Sequence, residues 1–222
     1  MLEFKKRVVT SFFLFILLIL MHQYTYVLII ALIIITVIAW VEVYGLLLKI
    51  FKKNNIKHKL LRFFYKSLSL LYLSFLFLSI VIIFVSKPEL KIFIIFSLFI
   101  SIASDTGGLF FGKIFKGKKL TKISPKKTIS GSIGAFIFSL SLIPFFNQSL
   151  VNYKFTEIFL YVMIISLISQ TGDLFISFLK RKAKVKNTSN ILPGHGGLLD
   201  RVDGIIFTIP SGIIFGKYLL SI

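Results

Sequence analysis

The sequence contains no cysteine and few acidic residues. Its 222 residues include 8 Asp and Glu against 27 Lys and Arg, so the formal net charge is +19. The absence of cysteine excludes disulfide frameworks, thiolate nucleophiles and cysteine-ligated metal sites. In a soluble protein so basic a composition would suggest a nucleic-acid partner. Here the basic residues lie in short loops between apolar runs. This favours a membrane topology signal and anionic lipid or phosphate partners, so we expect no nucleic-acid partner.

Apolar residues make up 56% of the chain, and the mean hydropathy is +0.92, beyond the range of soluble globular proteins. Seven runs rich in Leu, Ile and Phe are long enough, or nearly so, to span a bilayer as helices. They cover residues 7–21, 25–48, 67–86, 92–114, 129–147, 156–179 and 204–220. We therefore predict an all-α, polytopic membrane protein with about seven transmembrane helices in one transmembrane domain, residues 1–222. The fifth helix, which contains Pro144, is expected to be short or broken.

The distribution of basic residues predicts the orientation in the membrane. Most of them lie at the N-terminus and in the loops 49–66, 113–127 and 180–201. The basic residues outside these stretches are Lys87, Lys91, Lys154 and Lys217. The positive-inside rule then places the N-terminus and the three basic loops in the cytoplasm and the C-terminus outside. Because no small-residue cleavage pattern follows the first apolar run, we do not expect a cleavable signal peptide.

Four aspartates occur near the predicted cytoplasmic ends of helices, each close to glycine. They are Asp105, Asp173, Asp200 and Asp203, in the contexts SDTGG, QTGDL and LLDRVDG. Ionisable groups near the membrane are costly and usually mark a pathway, a pair or a site. Clustered carboxylates suit Mg²⁺, which often also binds phosphate. The alternative is that each aspartate pairs with a nearby base such as Lys180 or Arg201.

A fifth acid, Glu42, lies near the cytoplasmic end of the second predicted helix. Two interpretations stay open for it: local pairing with a lysine or with polar groups, and a role in an active site. His195, which lies between two glycines, is also open to two interpretations. It could donate to a phosphate or act as an acid or base, or it could be an ordinary hydrogen-bonded loop residue.

The loop 112–134 brings lysines, hydroxyls and glycines together around a short Ser-Pro-Lys-Lys-Thr run. Ammonium groups, hydroxyls and exposed backbone N–H groups of this kind hold phosphates. The candidate phosphate-binding residues are Ser124, Lys126, Lys127 and Thr128. The loop does not contain the G-x-x-x-x-G-K-[ST] pattern of a P-loop. Its alternative interpretation is a positively charged cytoplasmic loop without a ligand.

The segment 177–203, SFLKRKAKVKNTSNILPGHGGLLDRVD, is the most informative stretch. Its Ser-x-Leu-Lys-Arg start, its Leu-Pro-Gly-His-Gly-Gly-Leu turn and its Asp-Arg-Val-Asp end resemble the signature of the phosphatidate cytidylyltransferase, or CDP-diacylglycerol synthase, family. Three upstream elements resemble the same family in the same order: Asp105-Thr106-Gly107, Gly112-Lys113, and Ser124-Pro125-x-Lys127-Thr128 followed by Gly131. Trp40 and Glu42 resemble a weaker N-terminal feature.

The resemblance implies the reaction CTP + phosphatidate → CDP-diacylglycerol + pyrophosphate at the cytoplasmic face of a bacterial-type plasma membrane. It implies Mg²⁺ as cofactor, with K⁺ as a candidate second cation, and a homodimer. The implied Mg²⁺ ligands are first Asp173 and Asp200, then Asp203 and Asp105. The residues implied to neutralise or bind phosphates are Lys180, Arg181, Lys186, Arg201, Ser124, Lys126, Lys127 and Thr128. His195, Gly196 and Gly197 are expected to shape the phosphate pocket.

The sequence departs from the family pattern at a few positions. Asn187 replaces an aspartate, Ile176 replaces a glutamate, Ser130 replaces Glu or Gln, and Gly108-Leu109 replaces an Ala-Tyr pair. Two other functions stay open: a CTP-dependent lipid-alcohol kinase, such as a polyprenol or phytol kinase, and an inactive relative that binds or transports lipid. The D-G-x-x-A-R…G-x-x-x-D-x-x-x-D motif of CDP-alcohol phosphatidyltransferases does not occur.

Overall fold

The structure is a computed structural model that describes residues 2–53, 55–121, 123–125, 127–151, 153–193 and 196–220. These residues form helices and loops, and no strand occurs among them. The helices are α1 Leu2–Gln23, α2 Thr25–Ile50, α3 Ile56–Ser86, α4 Lys91–Ile114, α5 Ile129–Leu140, α6 Ile143–Phe146, α7 Phe155–Lys182, α8 Leu199–Val202 and α9 Ile205–Leu220. Short 3₁₀ turns cover Pro88–Leu90 and Asn147–Leu150.

The all-α, polytopic membrane architecture predicted from the sequence is confirmed. Five helical stretches are long and apolar enough to cross a membrane: Thr25–Ile50, Ile56–Ser86, Pro88–Ile114, Ile129–Leu150 and Phe155–Lys182. The first and last predicted spans form shorter apolar helices within the described residues, so the count of seven stays a prediction.

The largest difference between the predicted and the observed helix boundaries is at the start of α3. Helix α3 begins at Ile56 rather than near residue 67, because its basic first turns continue the helix beyond the apolar run. The fifth span is broken, as expected. Helix α5 ends at Leu140, and α6 starts at Ile143 with Pro144 in its first turn, where a missing N–H is tolerated.

The helices divide into two compact units. Unit one comprises Met1–Ser86 and Leu179–Val202, and unit two comprises Lys87–Phe178 and Asp203–Ile222. Helix α7 contributes its last residues to unit one and the rest to unit two. That the chain acts as one transmembrane domain stays a prediction.

In unit one, α2 packs against α1, α3 and α8. The contact with α3 includes a polar and aromatic group near the basic end of α3. The indole N–H of Trp40 donates to the carbonyl of Lys66, and the Lys66 ammonium lies 5.1 Å from the Trp40 ring and 4.5 Å from the Tyr44 ring. These contacts fix the C-terminal half of α2, which also carries Glu42.

Unit two is built on very close packing of α4 against α5. A Cβ added at Gly107 would lie 2.5 Å from the Gly134 carbonyl oxygen and 2.6 Å from Cβ of Phe138, so only glycine fits there. Small residues at helix crossings let backbones approach in this way in membranes.

A row of buried hydroxyl groups connects α7 to α4 and α5. Ser101 bonds Ser169 at 2.9 Å, and Ser139 donates to Ser166 at 3.1 Å. Ser97 bonds Tyr161 at 2.7 Å. These bonds fix the rotation of α7 within unit two.

Candidate active site

The signature segment 177–203 folds as the end of α7, a tightly bonded loop and the short helix α8. The backbone N–H of Val185 donates to the Lys180 carbonyl and closes α7, with Lys184 in the left-handed region at φ 57°. Further on, Leu192 and Gly196 exchange two backbone hydrogen bonds of 2.9 and 3.1 Å. Gly196 has φ +88°, a conformation that favours glycine. These two bonds join the residues on either side of the turn.

Asp200, at the start of α8, ties this loop to α7. One carboxylate oxygen accepts from Lys180 Nζ at 2.6 Å, and the side chains are only 15% and 10% exposed. The other oxygen accepts from the backbone N–H groups of Thr188 at 2.9 Å and Gly197 at 3.1 Å. Burial alone would raise the pKa of Asp200, but the bonds from Lys180, Thr188 and Gly197 and the Lys180 charge outweigh it, so the pKa lies below its usual value.

Glu42, on α2, binds the same loop from the other side. Its side chain is buried, with 3% of the residue exposed. One oxygen accepts from the Ser189 hydroxyl at 2.5 Å and the Leu198 N–H at 2.9 Å. The other accepts from the Thr188 hydroxyl at 2.8 Å and the Leu199 N–H at 2.8 Å. Of the two interpretations that the sequence left open for Glu42, pairing with polar groups is confirmed, and the partners belong to the signature segment.

We call Glu42, Lys180, Thr188, Ser189, Gly197 and Asp200 the loop cluster. Thr188 is shared inside it, since its hydroxyl lies 2.8 Å from Glu42 and 3.1 Å from Asp200. Gly197 fits between these groups because it has no side chain. A Cβ there would overlap the Thr188 hydroxyl and lie 2.8 Å from both Glu42 oxygens.

The backbone N–H groups of residues 196–199 are all used within the protein. Gly196 donates to the Leu192 carbonyl, Gly197 to Asp200, and Leu198 and Leu199 to Glu42. A glycine-rich loop that binds phosphate through its backbone needs such donors to be available. In this arrangement these four N–H groups hold the shape of the loop itself and are not available to a ligand.

A second polar group lies in unit two, and we call it the α7 cluster: Asp105, Lys127, Ser132, Gln170, Asp173 and Ser177. Lys127 forms an ion pair with Asp173, whose other oxygen accepts from the Ser177 hydroxyl at 3.3 Å. The exposed Asp105, on α4, interacts electrostatically with both Asp173 and Lys127. The structure thus brings together two of the predicted acids and one predicted phosphate-binding lysine.

Gln170 extends the α7 cluster one turn deeper along α7. The Ser132 hydroxyl donates to its side-chain oxygen at 2.5 Å, and its backbone carbonyl faces Lys127 Nζ at 3.5 Å. Its buried side-chain nitrogen has no hydrogen-bond partner among the residues that the structure describes. The α7 cluster therefore retains unused bonding capacity.

The loop before α5 folds back on itself and delivers Lys127 to the α7 cluster. Leu120 donates to the Lys127 carbonyl at 2.8 Å, and Lys127 donates to the Ser124 carbonyl at 3.0 Å. Thr128 is the N-cap of α5, and its hydroxyl accepts from the Gly131 N–H at 3.1 Å. In this structure, Ser124 and Thr128 shape the turn around Lys127.

The other predicted site residues are distributed as follows. Arg181, Lys186 and Arg201 are exposed, and Asp203 is buried in unit two, where its carboxylate accepts from the Gly204 N–H at 3.0 Å. Lys126 and His195 lie outside the described residues. Asp200 belongs to unit one, and Asp105, Asp173 and Asp203 belong to unit two. Among the described residues, no group of three or more His, Asp and Glu forms a metal site, so binding of one Mg²⁺ by the four aspartates stays a prediction.

Four polar residues of the two clusters were not predicted from the sequence: Ser132, Gln170, Thr188 and Ser189. A signal existed for two of them, since Thr188 and Ser189 form a hydroxyl pair inside the signature segment. Ser132 and Gln170 have no comparable sequence signal, because each is an ordinary polar residue of an apolar helix.

Comparisons with known proteins show which family the sequence resembles. The profile of the cytidylyltransferase family matches residues 1–219. A phosphatidate cytidylyltransferase of Rickettsia typhi is 44% identical over 146 residues, which cover 61% of this chain and 62% of that protein. The Helicobacter pylori (strain J99) protein of the same name is 39% identical over 114 residues, covering 51% of this chain and 43% of its own. The Bacillus subtilis protein of that name is 39% identical over 110 residues, 49% of this chain and 41% of its own. The aligned region thus spans less than two thirds of each relative, whereas the family profile spans nearly all of this chain. The chain belongs to the cytidylyltransferase family.

Proposed function

We propose that this protein is a phosphatidate cytidylyltransferase that converts CTP and phosphatidate to CDP-diacylglycerol and pyrophosphate. The observation that carries the proposal is the folded signature segment, in which Lys180 and the loop are held by Asp200 and Glu42. The names of the relatives support the same activity.

The reaction is a displacement at phosphorus. An oxygen of the phosphatidate phosphate attacks the α-phosphorus of CTP, a new P–O–P bond forms, and the bond to the β-phosphate breaks to release pyrophosphate. The attacking oxygen is already anionic, so no strong general base is required. The protein must bring two anions together and stabilise the charge of the leaving group. The basic residues of the signature segment and of the loop before α5 are suited to neutralising the charges of the two substrates and of the leaving pyrophosphate.

The α7 cluster fits a bound Mg²⁺. This ion is usually held by one or two carboxylates together with substrate phosphates, and Asp105 and Asp173 supply two carboxylates beside one ammonium. When bound, Mg²⁺ would neutralise phosphate charge. Asp173 and Asp105 would hold the ion, and Lys127 would move from its ion pair with Asp173 toward a phosphate oxygen.

Asp200 and Asp203 stay candidate ligands as predicted from the sequence, and K⁺ stays a candidate second cation. Asp200 already accepts from one ammonium and two N–H groups and shares the Thr188 hydroxyl with Glu42, so a metal bound there would displace at least one of these donors. We therefore rank Asp173 and Asp105 ahead of Asp200 as Mg²⁺ ligands.

The position of the radioactive label tests the reaction. Purified protein in phospholipid nanodiscs is given phosphatidate, Mg²⁺ and CTP labelled at the α- or the γ-phosphate. We expect α-label in the lipid and γ-label in pyrophosphate. A parallel reaction contains a polyprenol in place of phosphatidate, and transfer of γ-label to that alcohol with release of CDP would establish a kinase instead. If neither label moves while the protein still binds lipid, the chain is an inactive relative.

We further propose that the N-terminus and the three basic loops face the cytoplasm. The absence of cysteine makes labelling clean, because a single introduced thiol has no background. An impermeant maleimide should label Lys118→Cys only in inside-out vesicles and Lys154→Cys only in right-side-out vesicles. The opposite pattern would reverse the topology. A homodimer stays a prediction. It is tested by measuring the mass of the purified complex and subtracting the mass of the bound detergent.

A further inference from the structure

We infer that Glu42 is a positioning residue of the cytidylyl-transfer site, which fixes the signature loop in the geometry that catalysis requires. The inference rests on the proposed function. It adds a residue on α2, far from the signature segment in sequence, to the machinery that the segment forms.

The first argument is the cost of placing a carboxylate there. Glu42 lies inside a helix long and apolar enough to span the membrane, and the residue is 3% exposed. An ionisable group in such a place costs a few kcal/mol or more unless it is fully hydrogen-bonded. Apolar residues of similar volume usually stabilise a buried site at least as well. Stability of α2 alone therefore gives no reason for a glutamate at this position.

The second argument is where the hydrogen bonds go. All four donors to Glu42 come from residues 188–199, and none carries a formal charge. Two are hydroxyls and two are successive backbone N–H groups. A carboxylate accepts about four hydrogen bonds, so the loop saturates it. Both ends of the loop are thereby held against one side chain of α2.

The third argument connects Glu42 to the charged pair. The Thr188 hydroxyl reaches both Glu42 and Asp200, and a hydroxyl has one proton to donate. The Thr188 hydroxyl therefore donates its proton to one of the two carboxylates, Glu42 or Asp200, and stays in contact with the other. Asp200 in turn holds Lys180. Loss of the Glu42 carboxylate would leave Thr188 bonded to Asp200 alone, and the Asp200–Lys180 pair would lose its connection to α2.

Glu42→Gln is the sharpest test, because it keeps the volume and removes only the charge and one acceptor. The new amide N–H₂ would face two donors of the loop, which leaves buried groups unpaired. We expect kcat to fall about ten- to a hundredfold, the usual range for residues that support a site from outside it. The KM for phosphatidate, whose acyl chains stay in the bilayer, should change little. Glu42→Asp, which keeps the charge, should recover part of kcat.

The matched control is Glu89→Gln, the same change at an exposed position in unit two. A second readout is hydrogen exchange of the peptide covering residues 186–200, measured on the intact protein. We expect faster exchange in Glu42→Gln and unchanged exchange in Glu89→Gln. If Glu42→Gln is not recovered folded, Ser189→Ala and Thr188→Val are used instead. Each of these variants removes one of the four donors to Glu42.

Two results would overturn the inference: wild-type kcat in Glu42→Gln, or a large loss of kcat with unchanged exchange of the loop. Failure of the proposed function is distinguishable, because then the wild-type protein itself would transfer no cytidylyl group. The exchange measurement still tests the contact in that case.

Discussion

The loop cluster and the α7 cluster are both built from carboxylates and a lysine, but they differ in how fully those groups are used. In the loop cluster, Glu42 and Asp200 each accept from three donor groups of their own and share the Thr188 hydroxyl. In the α7 cluster, Asp173 accepts from one ammonium and one hydroxyl. Among the described residues, Asp105 accepts no hydrogen bond there and the Gln170 amide nitrogen has no partner.

This difference separates two tasks. Carboxylates saturated by protein donors hold backbone in place, and they gain nothing from a ligand. Carboxylates with free acceptor positions beside a lysine can take up a cation and a phosphate at the same time. We therefore interpret the loop cluster as the part that sets geometry and the α7 cluster as the part with capacity to bind.

The strongest test of this separation compares two equal substitutions, Asp173→Asn and Asp200→Asn. Each should reduce turnover by about 10²- to 10³-fold, since each removes a charge that organises phosphate groups. They should differ in the loop. Asp200→Asn should speed hydrogen exchange of residues 186–200, and Asp173→Asn should not. Equal exchange in both variants would mean that the two clusters do not divide these tasks.

Mg²⁺ dependence adds a second distinction between the same variants. Asp173→Asn should raise the Mg²⁺ concentration needed for half-maximal turnover, because it removes a proposed ligand. Asp200→Asn should lower kcat at saturating Mg²⁺ and leave that concentration within about twofold. A shift in Asp200→Asn alone would move the ion to the loop cluster.

Gly197→Ala should produce the next largest effect, a loss of stability. The added Cβ would overlap the Thr188 hydroxyl and crowd the Glu42 carboxylate, and overpacking of this kind costs about 1–3 kcal/mol of stability. The control is Gly45→Ala on α2, where no neighbouring atom lies within 4 Å. That change should be neutral or stabilise the helix by up to about 1 kcal/mol. Thermal unfolding in detergent compares the two, and equal melting temperatures would show that the loop adapts freely.

The sequence predicted the membrane helices well and the contacts between them poorly. Long apolar runs and basic loops report on the solvent around each segment, so α2, α4 and α7 were predicted within about four residues of their ends. The start of α3 was missed because charged residues continue a helix without raising its hydropathy.

The same contrast holds for the site residues: those within one sequence motif were predicted, and contacts between distant segments were not. The resemblance of 177–203 to the family signature predicted Lys180 and Asp200 as site residues, and the structure joins them in an ion pair. The partnership of Glu42 with Leu198 and Leu199 spans more than 150 positions, and no local pattern encodes it. Ile176 illustrates the converse. It replaces an expected glutamate, and the structure buries it at 2% exposure, where a carboxylate would have needed partners.

The pH dependence of stability tests the saturation of Asp200 directly. Its pKa is lower in the folded chain than in the unfolded chain, so the folded state releases this proton more readily. Asp200 therefore stabilises the fold above the unfolded pKa, near 3.8, and the contribution disappears as the pH falls through the lower folded value. The stability difference between wild type and Asp200→Asn should be constant from about pH 5 to 7 and shrink in stronger acid. A difference that shrank already between pH 7 and 5 would contradict the bonding described for Asp200.

The smallest expected effect comes from removing one hydroxyl from each cluster. Ser189→Ala removes one of four donors to Glu42, and Ser132→Ala removes the donor to the Gln170 oxygen. A single hydrogen bond contributes about 0.5–1.5 kcal/mol, so both proteins should stay folded with small losses in melting temperature. Their kinetics should differ, because Ser189→Ala loosens a loop still held by three bonds, whereas Ser132→Ala frees a side chain beside Lys127. We expect kcat to change more in Ser189→Ala and the KM for CTP to change more in Ser132→Ala. If the two variants changed the same constant by the same factor, saturation of the carboxylates would not explain the difference between the clusters.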